Sequence, residues 1–294
     1  MKAEFLDRVN RLATDNVSSA QQIVKDALGL LYDYCTVEFA SPDFAKELAS
    51  LCSSVSNSQS QMAALSNVCK LVTAGVSSMD AAHAAKYIDD LRASVNRAPT
   101  DAAKLAAELI NDGKSYATLS QSEFVLSAFG AAAENGKFVR VFVMESRPLF
   151  EGRQTARSLK RMGHRPTLIA DASVGCFIEE IDSAFVGADA ILADGTLVNK
   201  IGSYPLATLC AAGKKDFYAV TSVLRCDPVK KPADFVNKEE SSHEIFANPE
   251  FEIKNLYFDK IAPHLITGFI TEAGVFSPIS GLEQLKAAMH DRYR

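Results

Sequence analysis

The chain has 294 residues, 48% of them hydrophobic, and a formal net charge of -5. That length and apolar content supply a sizeable core and make two domains the natural expectation. The acidic balance argues against a general nucleic-acid-binding surface, and no apolar run reaches the roughly 18 residues of a membrane span. Met1-Lys2-Ala3-Glu4 brings acid early and lacks an apolar signal core, so a cytoplasmic location is expected. The six cysteines (Cys35, Cys52, Cys69, Cys176, Cys210 and Cys226) are scattered with no CxxC pair, and read as reduced thiols. The histidines are dispersed, and no metal site is expected.

The first half shows helical periodicity only. Phe5, Val9 and Leu12 recur at helical spacing, followed by Ile23, Ala27, Leu30 and Leu31, then Phe44, Leu48 and Leu51. Ser18 or Asn16 suits the cap of the second helix, and Ser41-Pro42-Asp43 reads as a stop and a new start. Ser53–Ser60 is polar and reads as a plain loop, or else as one that reaches toward a ligand. A long amphipathic helix is predicted over Ala81–Arg97, with another from Pro99-Thr100-Asp101 to near Asp112-Gly113.

After Gly113 the pattern changes. β-rich runs fall at Tyr116–Leu119, Val139–Met144, Thr167–Ala170, Ala184–Val186, Phe217–Thr221 and Leu265–Ile270. Helical stretches at Ser122–Ala133, Gly152–Met162, Val174–Ile181 and Tyr204–Ala212 lie between the first five. Such alternation implies βαβ units and a parallel sheet. Gly136, Gly163 and Gly213 stand where helices should end. The expected fold is therefore α/β: an all-helical domain over residues 1–113, then a doubly wound, mostly parallel sheet over 114–294.

Polar clusters follow the strand runs, and ligands bind beyond the carboxyl ends of strands in such sheets. Arg147 follows the second run, and Gly152 and Arg153 open the next helix; glycine, arginine and a helix amino terminus together favour phosphate. The plainer alternative is a surface ion pair between Glu145 and Arg147. Asp189 comes after the fourth run, and Asn199-Lys200 stands at the entrance of a further helix. An isolated Asn-Lys pair is usually a solvated loop, but Arg147, Asp189, Asn199 and Lys200 all fall on one expected ligand edge. No GxGxxG follows the first strand and no GxxxxGK[ST] occurs, which disfavours dinucleotide and triphosphate sites. His164 and His264 read as loop or strand-end residues.

Glu145-Ser146-Arg147-Pro148 with Gly152, Asp171-Ala172, Val186-Gly187-Ala188-Asp189 and Asn199-Lys200-Ile201-Gly202-Ser203-Tyr204 resemble one family. It comprises the alpha, beta and delta subunits of translation initiation factor 2B, methylthioribose-1-phosphate isomerase and ribose-1,5-bisphosphate isomerase. Leu265 through Val275 is similar to its carboxy-terminal strand and turn. The resemblance implies a helical domain, a Rossmann-like domain and a ligand cleft between them, with a homodimer or a hetero-complex of related subunits. It implies no metal or nucleotide cofactor, while the acidic charge and the lack of a long apolar run argue against direct nucleic-acid contact and a membrane.

In the isomerases a cysteine and an aspartate exchange protons. Asp189 matches the aspartate, and Asn199 and Lys200 match positions that hold substrate hydroxyl and phosphate groups. Ser120 stands in the cysteine's place, and a hydroxyl titrates far above a thiol. Ser18-Ser19-Ala20 lacks the arginine of the family's Arg-Gly-Ala, and Glu151 replaces a glutamine of the methylthioribose enzyme. The resemblance thus leaves two readings: a sugar-phosphate-binding aldose–ketose isomerase, with Asp189 and Ser120 at the reacting atoms and Arg147, Gly152, Arg153, Asn199 and Lys200 binding substrate, or a non-catalytic regulatory subunit sensing the same ligand.

Overall fold

A computed structural model describes residues 3–15, 18–37, 41, 43–59, 61–248 and 250–293. The expected cap Asn16, Pro42 of the expected stop, and the end of the serine-rich segment at Ser60 lie outside those residues. Helices α1 (Ala3–Thr14), α2 (Ala20–Val37), α3 (Phe44–Ser58), α4 (Ala63–Gly75) and α5 (Ala81–Leu109) come first. Phe5, Leu12, Ile23, Leu31, Leu48 and Leu51 share one buried core, as their spacing requires. Ser19, rather than Ser18, caps α2, its Oγ accepting from Gln22 N at 3.2 Å. Ser53–Ser58 is helical, so the expected loop there is corrected: Val55, buried within α3, gives the segment an apolar face.

The helix expected to break before Pro99 does not break, and α5 runs through it for 29 residues. Proline has no N–H, so the carbonyl four residues earlier loses its partner. That carbonyl belongs to Val95, and the buried Gln21 side chain supplies the missing donor, Nε2 to O at 2.9 Å. The two halves of α5 then serve different layers. Ile88, Leu91 and Val95 join the core of the first helices, while Ala98, Ala102 and Ala106 pack with α6 (Glu123–Glu134) over the sheet.

The main sheet contains β1 (Ser115–Leu119), β2 (Arg140–Met144), β3 (Arg165–Ile169), β4 (Ser183–Val186), β7 (Asp216–Val220), β9 (Gly268–Thr271) and β10 (Gly274–Phe276). Its order is β10-β9-β7-β4-β1-β2-β3, parallel except for β10. Tyr116, Val141, Val143 and Phe185 face α5 and α6, whereas Ala117, Phe142, Met144 and Ala184 face the opposite core. Helices α7 (Glu151–Arg161) and α8 (Ser203–Ala212) follow β2 and β6 (Leu197–Lys200), and α9 (Leu282–Arg292) ends the fold. The chain reverses its direction of travel across the sheet between β1 and β4, the point where such sheets open a crevice.

Several local expectations are revised. A second antiparallel sheet, β5-β6-β8, is formed by β5 (Ala190–Ile191), β6 (Leu197–Lys200) and β8 (Phe258–Ile261). Its strands are too short to show a period. Val174–Ile181 is not an α-helix but part of a 3₁₀ run, Asp171–Glu180, with only Val174 buried. Pro263–Leu265 is a 3₁₀ turn, so the strand predicted from Leu265 starts at Gly268. Gly136 and Gly163 take positive φ after their helices, but Gly213 does not; Lys214 takes it at 54°. His164 is a core residue, its Nε2 2.9 Å from Phe129 O, and burial lowers its pKa.

Replacing Gln21 by alanine should cost about 1–3 kcal/mol of stability, because the Val95 carbonyl is left buried without a donor. In a Pro99→Ala background the helix can supply its own N–H, and the same change should cost much less. Urea denaturation of the four proteins of this double-mutant cycle measures the coupling; an equal cost in both backgrounds would remove this account of Pro99.

Candidate functional site

Four segments converge beyond the carboxyl ends of β1, β2 and β4. The first is the turn after β1, where Ser120 takes φ 57°. Its N–H donates to Ser146 Oγ at 2.6 Å and its carbonyl accepts from Thr155 Oγ1 at 2.6 Å, which fixes this left-handed residue from both sides. Among the described residues no hydrogen bond engages the Ser120 hydroxyl. The second segment follows β2: the N–H groups of Ser146 and Arg147 donate to the two carboxylate oxygens of Asp171, each at 2.7 Å. The third, Gly187–Asp189, runs close to Ser122 and Asn199; a Cβ on Gly187 would stand 3.0 Å from Ser122 Oγ. The fourth is the end of β6, where Gly202 lies against Met144 and Leu119.

Asp189 is brought beside Asn199 by the main chain, since Asp189 N donates to Val198 O at 2.8 Å. It lies three positions past the end of β4, so it leads into β5 instead of ending a strand. Asn199 and Lys200 therefore stand on the second sheet, whose end overlies the main sheet's edge. Asn199 Nδ2 donates to Ser203 Oγ at 2.8 Å, and that hydroxyl donates to Lys200 O at 2.7 Å. The Asn199 carbonyl oxygen faces Gly187.

The charges form a compact set. Lys200 Nζ lies 2.8 Å from Glu151 Oε1, at the first residue of α7, and 4.3 Å from the centre of the Tyr257 ring. Arg225 is buried, donates to the Ala188 carbonyl and reaches Asp189 Oδ1 at 3.7 Å. Burial pushes the Asp189 carboxyl above its usual range; Arg225 and Lys200 oppose that rise, and Glu151 adds to it. A carboxyl raised in this way is suited to both accepting and giving a proton.

The two helix amino termini nearby are in different states. Asp259 Oδ2 fills that of α8, accepting from Gly202 N at 2.8 Å and Tyr204 N at 2.9 Å. Helix α7 is preceded by Phe150 at its N-cap position, which makes no side-chain cap bond. Its first turn is the better place for a ligand anion.

Arg147 and Arg153, expected beside Lys200, point to other partners. Arg147 NH2 donates to Ile245 O at 3.1 Å, and Arg153 NH2 pairs with Glu145 at 3.0 Å. Their guanidinium groups lie 4.8 and 3.8 Å from the centre of the Phe150 ring. The surface ion pair anticipated for Glu145 is thus made with Arg153, not Arg147. Gly152 is explained by packing: a Cβ there would sit 1.9 Å from Met144 O.

Arg225, Asp259 and Tyr257 escaped the sequence reading. Arg225 lies five residues past the end of β7, so the strand-end rule that found Asp189 could have found it. Nothing local marks Asp259, whose role depends on the pairing of β8 with β6. The end of α3 contributes Ser56 and Asn57 to a separate cavity of about 220 Å³, shared with Gln61, Ala190, Asp227 and Lys230. Among the described residues no group of three or more His, Cys, Asp or Glu could hold a metal, and no helix is long and apolar enough to cross a membrane.

Residues 4–278 match the Initiation factor 2 subunit family. The chain belongs to it. Within this family it is 33% identical over 184 residues to a putative translation initiation factor eIF-2B subunit 2-like protein of Pyrococcus abyssi, covering 63% of this chain and 65% of that one. It is 36% identical over 180 residues to a ribose 1,5-bisphosphate isomerase of Methanocaldococcus jannaschii, covering 60% and 58%. The matches therefore span less than two thirds of either relative. The crystal structure of translation initiation factor eIF-2B from Pyrococcus horikoshii OT3 superposes with a TM-score of 0.83 at 26% identity, over 95% of this chain and 98% of that one. The family includes both sugar-phosphate isomerases and initiation-factor-like proteins, and its α/β fold with a helical amino-terminal region is the one seen here.

Gly152→Ala should destabilise the protein by at least about 1–3 kcal/mol, since the contact it meets is backbone and cannot rotate away. Gly130→Ala, inside α6 with nothing nearer than 4.0 Å, serves as the control and should be neutral or stabilising. Thermal or urea melts of the two variants compare them directly; equal behaviour would show that the close approach of α7 to β2 is unimportant.

Proposed function

We propose that this chain binds a phosphorylated sugar at the strand-end site, with Asp189 and Asn199 meeting its hydroxyl groups and Lys200 with the first turn of α7 facing its phosphate. The observation that carries this reading is the cluster of Arg225, Lys200 and Glu151 around the half-buried Asp189 carboxyl. The relative named as a ribose 1,5-bisphosphate isomerase supports a ribose phosphate as the ligand class. The reaction assigned to the site is aldose–ketose isomerisation. Asp189 exchanges the proton at the ring oxygen and the adjacent carbon, and Ser120 contributes a hydrogen bond. Arg147, Gly152 and Arg153 shape the phosphate end from outside, through the Phe150 turn.

A second reading has its own support. Ser120 offers no group that titrates near neutrality, which favours a non-catalytic, ligand-sensing subunit of an initiation-factor-2B-like complex. Under either reading the helical segment 1–113 closes over the ligand, while 114–294 carries the site and a homodimer face. Val229, Val236, Phe251 and Ile279, each at least 66% exposed, are the apolar residues of the second segment that such a face would cover.

Calorimetry with ribose phosphates, followed by a turnover assay, tests the proposal. For an isomerase, Asp189→Asn should cut turnover at least about a hundredfold while affinity changes by less than about tenfold. Ser120→Cys should raise the rate. For a sensor, all three proteins should bind without turnover. Full activity in Asp189→Asn, or no binding by any of them, would end this assignment.

The dimer is tested separately. Light scattering at micromolar concentration should return twice the 31.8 kDa chain mass. A monomer would remove the proposed face.

A further inference from the structure

Lys200 is the cation that the site presents to an anion, and it is already occupied. Its ammonium group is paired with Glu151 Oε1 at 2.8 Å, with the two side chains only 13% and 21% exposed. The other oxygen of that carboxylate, Oε2, is buried and has no hydrogen-bond partner. A buried carboxylate oxygen without a donor carries a desolvation cost, which a hydrogen bond from a ligand hydroxyl would offset.

The neighbouring charges sharpen the point. Asp189 and Glu151 contribute two negative charges when ionised, and Lys200 and Arg225 two positive ones; these four sum to zero, and Glu123 and Glu272, which also face Arg225, add no positive charge. Arg225 is committed to the Ala188 carbonyl and to Asp189, while the amino terminus of α8 is filled by Asp259. The first turn of α7 remains as the place for one phosphate: Arg153 N is taken by Phe150 O, which leaves the N–H groups of Glu151 and Gly152. A second phosphate would meet a neutral cluster and an acceptor oxygen. A hydroxyl would meet an acceptor it can satisfy.

We propose that Glu151 is a specificity-determining residue of this pocket: it acts as a built-in counter-anion on Lys200 and offers its free oxygen to a ligand hydroxyl, so that the pocket selects singly phosphorylated sugars over bisphosphates. This rests on the reading that the strand-end site binds a phosphorylated sugar. Glu151 is a positioning residue toward Lys200 and a direct contact toward the ligand. Glutamine in its place keeps the shape, removes the negative charge and leaves the Lys200 ammonium uncompensated.

The test is calorimetric titration of wild type and Glu151→Gln with ribose 5-phosphate and with ribose 1,5-bisphosphate, at one fixed salt concentration. Wild type should bind the monophosphate at least tenfold more tightly than the bisphosphate. Glu151→Gln should tighten the bisphosphate at least tenfold and abolish or reverse the preference, with a steeper loss of bisphosphate affinity as salt is raised. A wild type that binds the bisphosphate as tightly as the monophosphate overturns the proposal, even where the variant fails to fold. So does a folded variant with an unchanged ratio. Absence of binding by wild type to either sugar overturns the underlying ligand assignment as well, and is distinguishable from both of those outcomes.

Discussion

The hydrogen bond from Gln21 to the Val95 carbonyl lets one helix pass through a proline and so belong to two layers at once. With that carbonyl satisfied, α5 stays continuous from Ala81 to Leu109. Its first half is buried with α2 and α4, and its second half lies with α6 against the sheet. The helical segment is consequently seated on the α/β segment by a shared helix as well as by side-chain contacts. Its own core is continuous with the sheet face that carries Ala117, Phe142 and Ala184.

That seating reaches the candidate site through Asn67. From α4 its buried amide donates to the carbonyls of Leu224 at 2.8 Å and Cys226 at 2.7 Å, on either side of Arg225. The guanidinium that steadies Asp189 is thus aimed by a residue of the helical segment. Lys25 on α2 adds an ion pair to Glu123 at the start of α6, at 2.9 Å, close to the strand-end turn of β1. An ion pair this exposed contributes little by itself. The amide is different: it answers two buried carbonyls that would otherwise lack partners.

The turns at the site depart from relaxed backbone. Ser120, Ser146 and Phe150 all have φ between 57° and 65°, a region that costs residues other than glycine about 1–3 kcal/mol and persists where surroundings over-determine it. The clamps on Ser120 and the Asp171 carboxylate beneath Ser146 and Arg147 supply that determination. Asp259, by closing the amino terminus of α8, leaves the two helix ends with different tasks although both point at the same crevice.

The sequence by itself determined the α/β class, the order of the parallel strands along the chain and the helices between them, except at Val174–Ile181, where a 3₁₀ run stands instead. Those features come from apolar residues recurring every second or every third to fourth position, a property of each short segment alone. It also located Asp189, Asn199 and Lys200, because polar residues placed just after buried runs stand out locally. Only the tertiary structure decided which charges meet. Lys200 is paired with Glu151, 49 positions earlier, and Asp189 with Arg225, 36 positions later, while Arg147 and Arg153 turn instead to Ile245, Glu145 and Phe150. The second sheet, the uninterrupted α5 and the capping of α8 by Asp259 were illegible for the same reason. Each depends on a hydrogen-bond partner brought from a distant part of the chain, and a local pattern of residue types carries no record of which distant group will supply it.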